Sequence, residues 1–188
     1  MPTNDADERQ LQQRLRAGDE GAFDALFRTH YPHLVRMAES VVREHSLAEE
    51  IAQEVMLELW RRRESLQVEQ SFRAYLIRST RNRALNHVRH QQIVAREAAI
   101  SALDSPHSPS GEDEMLGVEL EAAIREAIEG LPEKVREVFR LSREQNLKYA
   151  EIAGVLDVSV KTVEKRMGQA LAELRQRLAA WLPVGGGE

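Results

Sequence analysis

Residues 158–171 read VSVKTVEKRMGQAL. Lys161, Thr162, Glu164, Lys165, Arg166 and Gln169 fall between Val160, Val163, Met167, Ala170 and Leu171, which recur at helical spacing. The lysines, Thr162, Arg166 and Gln169 donate hydrogen bonds to phosphate oxygens or base edges, and Glu164 can accept from cytosine N4. Gly168 costs about 1 kcal/mol in a helix interior, a cost that close approach of a DNA backbone would offset. A solvated amphipathic surface helix has the same pattern, so this stretch alone leaves both readings open.

The elements around it narrow the choice. Upstream lies a short helical stretch, YAEIAGVL at 149–156, then a three-residue break, DVS. Short helix, tight turn and longer helix form the helix-turn-helix pattern. Ser159 suits the N-cap of the second helix. Ile152, Leu156, Val160 and Val163 are expected to pack the two helices together. In this geometry the early turns of the second helix enter the DNA major groove.

A second set of donors lies upstream. Ser71 to Arg96 carries six arginines, at 73, 78, 81, 83, 89 and 96, and no acid. Asn82 and Asn86 stand one turn apart on the same predicted helix and offer paired donors and acceptors to a base edge. Glu112 to Glu129 holds seven acids against Arg125, whereas Val158 to Arg177 holds five basic residues against Glu164 and Glu173. Two basic segments thus flank an acidic one in a chain of net charge -5, which points to local anion-binding surfaces.

Composition excludes several classes. The 188 residues contain no cysteine, so no disulfide framework or zinc–thiolate site exists. Among the six histidines two i,i+3 pairs occur, but no third ligand follows at metal-site spacing. No glycine-rich phosphate loop or nucleophile motif is present, so neither catalysis nor a cofactor is expected. The N-terminus MPTNDADERQ lacks the pattern of a signal peptide. No apolar run approaches the about 18 residues of a membrane span. The expected location is the cytoplasm, without membrane insertion.

The whole chain reads as helical, with no sustained period-2 alternation. Phe23 to Val42 follows 3-and-4 spacing, and Pro32 is expected to break or kink it. Ser46 and Glu49 form a capping-box pattern opening a helix with Leu47, Ile51, Val55 and Leu59 on one face. A third helix is expected from about Phe72 to about Arg89. SALDSPHSPSGEDEMLG at 101–117 reads as a linker, because it has little to bury. Helices near 118–130 and 132–145 follow, the second opened by Pro132. The expectation is an all-α chain of two small helical domains, 1–95 and 118–182, with an acidic linker at 96–117 and a short tail at 183–188.

The segment AIEGLPEKVREVFRLSREQNLKYAEIAGVLDVSVKTVEKRMGQALAELRQRL resembles region 4 of bacterial sigma factors of the sigma-70 family. AFDALFRTHYPHLVRMAESVV, AEEIAQEVMLELWRR and FRAYLIRSTRNRALNHVRH resemble regions 2.1, 2.2 and 2.3–2.4 of the same family. The resemblance covers about residues 20–92 and 120–178, in the expected order. No segment resembles region 1.1 or a folded region 3. That is the pattern of extracytoplasmic-function (ECF, group 4) factors, with wording closest to FecI-like and Bacteroidetes-type members.

The resemblance implies partners: promoter DNA, core RNA polymerase through its β′ coiled coil and β flap, and an anti-sigma factor. It places polymerase docking on Glu50, Gln53, Glu54, Leu57 and Trp60. It places recognition and opening of the −10 element on Gln67, Val68, Glu69, Gln70, Arg78, Arg81, Asn82, Arg83 and Asn86. It places −35 recognition on Ser159, Lys161, Thr162, Glu164, Lys165, Arg166, Gly168 and Gln169. Primary sigma factors carry an aromatic-rich melting surface, whereas this chain has there only Trp60, Phe72 and Tyr75, of which Phe72 and Tyr75 suit the core equally well. That departure implies a stringent promoter. An autonomous helix-turn-helix regulator of LuxR type would share the KTVEKR wording, but it leaves the region 2 resemblance unexplained.

Overall fold

The structure is a computed structural model that describes residues 5–66, 68, 71–99 and 117–181. Among these residues it is helical, without strands. The chain divides into two compact units, Met1–Leu103 and Asp104–Glu188. The division falls within the stretch expected as a linker at 96–117, whose two ends are helical instead, residues 96–99 closing one helix and Gly117 opening the next, while residues 100–116 lie outside the described residues, as does the tail at 183–188.

The first unit holds α1 (Asp5–Arg16), α2 (Glu20–Val42), α3 (His45–Arg61) and α4 (Phe72–Ala99). Helix α2 is the central element and packs against the other three. Its buried Leu26, Leu34 and Ala38 share a core with Ile51, Val55 and Leu59 of α3 and Phe72, Leu76 and Ile77 of α4. Asp19 caps α2 by accepting from the Ala22 N–H at 3.1 Å. Arg14 Nε donates to the same carboxyl at 2.8 Å and holds it below the ordinary carboxylate range, helped by the Ala22 bond.

Three expectations are corrected here. Pro32 does not break α2, which runs through it as one helix. The proline is exposed, so the carbonyl it leaves without a helical donor can face water. Ser46 is not an N-cap. Helix α3 begins at His45, where the Ala48 N–H already bonds the Glu44 carbonyl at 3.0 Å, and the Ser46 hydroxyl donates to Glu44 instead. Helix α4 passes Arg89 and continues to Ala99. Residues 90–99 include no Gly or Pro, so no helix breaker ends α4 at Arg89. Helix α1 is an addition to the elements expected from the sequence. Its segment is polar, yet the single side chain of Leu15, 1% exposed, anchors it.

His30 lies in the α2–α4 contact, its ring edge-on to Phe72 at 5.7 Å between centroids. Burial pushes its pKa down to about 4, and the positive charge of Arg73 adds to the effect. The unfolded imidazole titrates near 6.5, so the unfolded chain binds the proton first. Stability is therefore intact above pH 6.5 and falls as pH drops toward 4, by about 3 kcal/mol in all. Urea unfolding at pH 7 and pH 4.5 is expected to show that loss in the wild type. His30→Leu is expected to shrink it by about 2 kcal/mol, and equal acid losses in the two proteins would contradict the assignment.

The second unit holds α5 (Gly117–Glu129), α6 (Glu133–Arg143), α7 (Tyr149–Leu156) and α8 (Val160–Arg177), with a short 3-10 turn at Ala179–Trp181. Ala127, Leu131, Val135, Ala170 and Leu174 form one part of its core. Val138, Leu141, Ile152 and Val163 fill the rest. At the α5–α6 turn, Arg177 Nη2 donates to the Gly130 carbonyl at 2.7 Å. A Cβ at Gly130 would stand 1.8 Å from Arg177 Nη1, so the guanidinium occupies the space that a side chain would take. This ties the end of α8 to the start of the unit.

Candidate nucleic-acid and partner interfaces

In the second unit, backbone chemistry sets the turn before α8. The Lys148 N–H donates to Glu151 Oε2 at 2.6 Å and fixes the start of α7. Asp157 ends α7 in the left-handed region, φ 54°, where a short polar side chain is tolerated. Ser159 is the N-cap of α8, as expected, and its Oγ accepts from the Thr162 N–H at 3.2 Å. The two hydroxyls of Ser159 and Thr162 lie 2.8 Å apart, so both residues belong to the cap as well as to the surface.

Val163, Met167, Ala170 and Leu174 form the buried stripe of α8. Lys161, Glu164, Lys165, Gly168 and Gln169 are exposed opposite it, and Arg166 is half-buried at its flank. Gln169 donates to Glu173 at 2.9 Å. Val160 does not pack the two helices together. It is 41% exposed, as is Leu171, because both stand at the edge of a stripe that other side chains already fill. A Cβ at Gly168 would meet nothing within 4 Å, so nothing inside the protein requires glycine there.

In the first unit, Glu50, Gln53, Glu54 and Leu57 are exposed on α3, Leu57 by 51%. Trp60 departs from that set. Its ring packs on Phe23 at 5.2 Å, with the Arg63 guanidinium over it at 4.5 Å, and it is half-buried. Phe23 continues to Phe27 and Tyr31, and Gln53 Nε2 lies 3.4 Å from the Tyr31 hydroxyl. The aromatic side chains beside the Glu50–Leu57 face of α3 thus come from α2, which the spacing of α3 alone could not reveal.

On α4, Arg78, Asn82 and Asn86 are exposed in one line, and Arg81 and Arg83 are half-buried. Arg83 Nη1 donates to Glu54 Oε2 at 2.7 Å. A residue expected to dock polymerase and a residue expected to read a strand are therefore paired, which their distance in sequence concealed. Two cavities open between α3 and α4. One of about 360 Å³ is lined by Leu47, Glu50, Ile51, Glu54, Arg83, Asn86, His87 and His90. The other, about 190 Å³, is lined by Val55, Glu58, Leu59, Arg62, Tyr75, Ser79 and Arg83. Phe72 is fully buried, so the ring cannot serve a melting surface, whereas Tyr75 is half-buried at the smaller cavity. Of the loop residues expected to read DNA, Val68 is half-buried, and Gln67, Glu69 and Gln70 lie outside the described residues. Arg16 donates to the Leu66 carbonyl at 2.7 Å, so α1 anchors the start of that loop. The Leu11–Leu15 spacing was the available sequence sign of this helix.

The family model for Sigma-70 region 2 matches residues 26–93, and that for Sigma-70, region 4 matches residues 121–174. The chain belongs to the sigma-70 family. The region 2 match takes in most of α2, all of α3 and most of α4, and the region 4 match runs from α5 into α8. Among relatives, RNA polymerase sigma-H factor of Pseudomonas aeruginosa is 29% identical over 90% of this chain and 92% of its own length. The ECF RNA polymerase sigma-E factor of Escherichia coli (strain K12) is 28% identical over 85% and 88%. A probable RNA polymerase sigma factor, RfaY of Xanthomonas campestris, is 30% identical over 86% of this chain, which spans 42% of RfaY's length. These relatives place the chain in the ECF group.

The fold agrees with solved structures. CnrH, determined in complex with the cytosolic domain of CnrY, is 25% identical with a TM-score of 0.63, covering 92% of this chain and 97% of that one. The sigma factor RpoE of Bartonella quintana, solved with the anti-sigma factor NepR, shares the fold at a TM-score of 0.62 and 19% identity, over 84% and 96%.

Proposed function

We infer that this chain is an RNA polymerase sigma factor of the ECF type, which binds core polymerase, directs it to promoters and promotes their opening. The observation that carries the reading is the pairing of two sigma-70 regions in one chain, the second presenting a capped helix-turn-helix with a polar outer face. Polymerase supplies the chemistry, and this chain contributes no catalysis of its own. It works in the cytoplasm, with an anti-sigma factor as its regulating partner. A LuxR-like regulator is disfavoured, because α2–α4 would then have no task.

Lys161, Thr162, Glu164, Lys165 and Gln169 meet the −35 bases, Ser159 and Arg166 hold phosphates, and Gly168 leaves room for the DNA backbone. Arg78, Arg81, Asn82, Arg83 and Asn86 follow the −10 strand, with the loop from Gln67 to Gln70 beside them. The small α3–α4 cavity, with Arg62, Tyr75 and Ser79 on its wall, suits an extruded base. Glu50, Gln53, Glu54 and Leu57, with the edge of Trp60, form the face for the β′ coiled coil. In the second unit, the groove between α5 and α6 that holds Ile124 and Ile128 suits the β flap.

Transcription with core polymerase on a library randomised at −35 and −10 tests the assignment. A base contact carries about 1–3 kcal/mol of discrimination, whereas a phosphate contact weakens all sequences alike. Lys165→Ala or Glu164→Ala is expected to change the preferred base at one or two −35 positions. Arg166→Ala is expected to lower output from every variant by a similar factor, and Asn82→Ala to alter only the −10 preference. If Glu164, Lys165 and Gln169 substitutions all leave the −35 preference intact, the face is only solvated.

A further inference from the structure

Arg83 borders two sites at once. Its bond to Glu54 is 2.7 Å long, with the two side chains 40% and 48% exposed. On one side it walls the groove that also holds Glu50 and Asn86. On the other it lines the smaller cavity with Arg62, Tyr75 and Ser79, which bring donors, and with Glu58, which pairs with Arg62. One guanidinium thus separates an acidic face, suited to a basic partner, from a cavity suited to a nucleotide.

An ion pair this exposed is exchangeable. It biases an equilibrium by no more than about five-fold, and a second cation arriving at Glu54 competes for the same carboxylate. We propose that Glu54 is a positioning residue for Arg83: in the free chain its carboxylate holds the guanidinium over the α3–α4 groove, and a basic partner surface seated on Glu50 and Glu54 releases it to the neighbouring cavity and the phosphates of a single DNA strand. This rests on the sigma-factor reading, in which docking on polymerase precedes strand capture, and adds to it the two side chains through which this chain would couple them. Linkage makes the effect reciprocal: a strand that engages Arg83 strengthens the partner's hold on Glu54.

The test is binding of a labelled single-stranded oligonucleotide, carrying the −10 non-template sequence of a promoter that the wild type transcribes. It is measured with the full chain alone and with saturating core polymerase. For the free chain, Glu54→Gln is expected to raise strand affinity about three-fold, and Glu54→Ala to do the same. In an Arg83→Ala background, neither change should raise it beyond the effect of Glu50→Gln, which removes a neighbouring charge without touching the pair. At saturating core, wild type and Glu54→Gln should bind the strand alike. No gain in the free chain, an equal gain without Arg83, or a gain undiminished by core overturns the proposal. A wild type that fails to bind core or to direct transcription overturns the sigma-factor reading itself. Normal wild-type transcription with no coupling between positions 54 and 83 overturns only this inference.

Discussion

Glu50→Arg combined with Glu54→Arg is expected to abolish co-purification with core RNA polymerase. Both carboxylates are exposed one turn apart on α3, beside the exposed Leu57, an acidic and apolar combination suited to an arginine-bearing surface. Reversing two charges against a basic partner replaces attraction with repulsion, and a loss of about 100-fold or more in affinity is expected. The structure adds a second consequence. The guanidinium introduced in place of Glu54 would face Arg83 where an ion pair now stands. An exposed pair contributes at most about 1 kcal/mol, so the fold should survive, and the circular dichroism spectrum should be unchanged. Glu50→Arg alone, which leaves the pair intact, should show most of the docking defect. Undiminished co-purification of the double variant would remove this face from the docking surface.

Val163→Asp fails in another way, by unfolding the second unit. Val163 on α8 and Ile152 on α7 are both 0% exposed, and the two helices pack against each other. A carboxylate there has neither water nor a cationic partner, and the expected cost is about 3–5 kcal/mol. A domain this small has a total stability of about 5 kcal/mol, so the cost removes most of it. Amide NMR resonances of residues 117–181 should collapse, while those of α2 and α3 keep their dispersion. The variant should still bind core through the first unit and lose −35-dependent transcription. Lys165→Ala, two residues away and exposed, should change base preference without any loss of structure. A folded Val163→Asp unit would mean that the packing of these two helices is misassigned.

Where a signal was periodic and local, it could be taken from the chain directly. The helix pair 149–156 and 160–177 follows from apolar spacing, and the Ser159 cap from one hydroxyl placed before the run. Where a signal depended on a neighbour, it failed. Ser46 had the capping-box pattern, but hydrogen bonding had already begun from Glu44. Val160 had the correct spacing, but the stripe was full without it. Helix α1 offers only the Leu11–Leu15 pair, too short a pattern to establish a period, and α2 packs against it where Leu15 is buried.

The sequence by itself determined the class of the protein and its two halves, because helical period, turn residues and the wording of two sigma-70 regions are properties of contiguous residues. It also separated the polar face of α8 from its apolar face, since that division is set by the 3.6-residue repeat alone. Tertiary structure decided which of those groups meet. Glu54 and Arg83 are 29 residues apart and form a bond, Trp60 turns onto Phe23, and Arg16 reaches the Leu66 carbonyl. Such contacts depend on how α1, α2, α3 and α4 lie against one another, and that packing is fixed by the shapes of the buried side chains along all four, which no single segment contains.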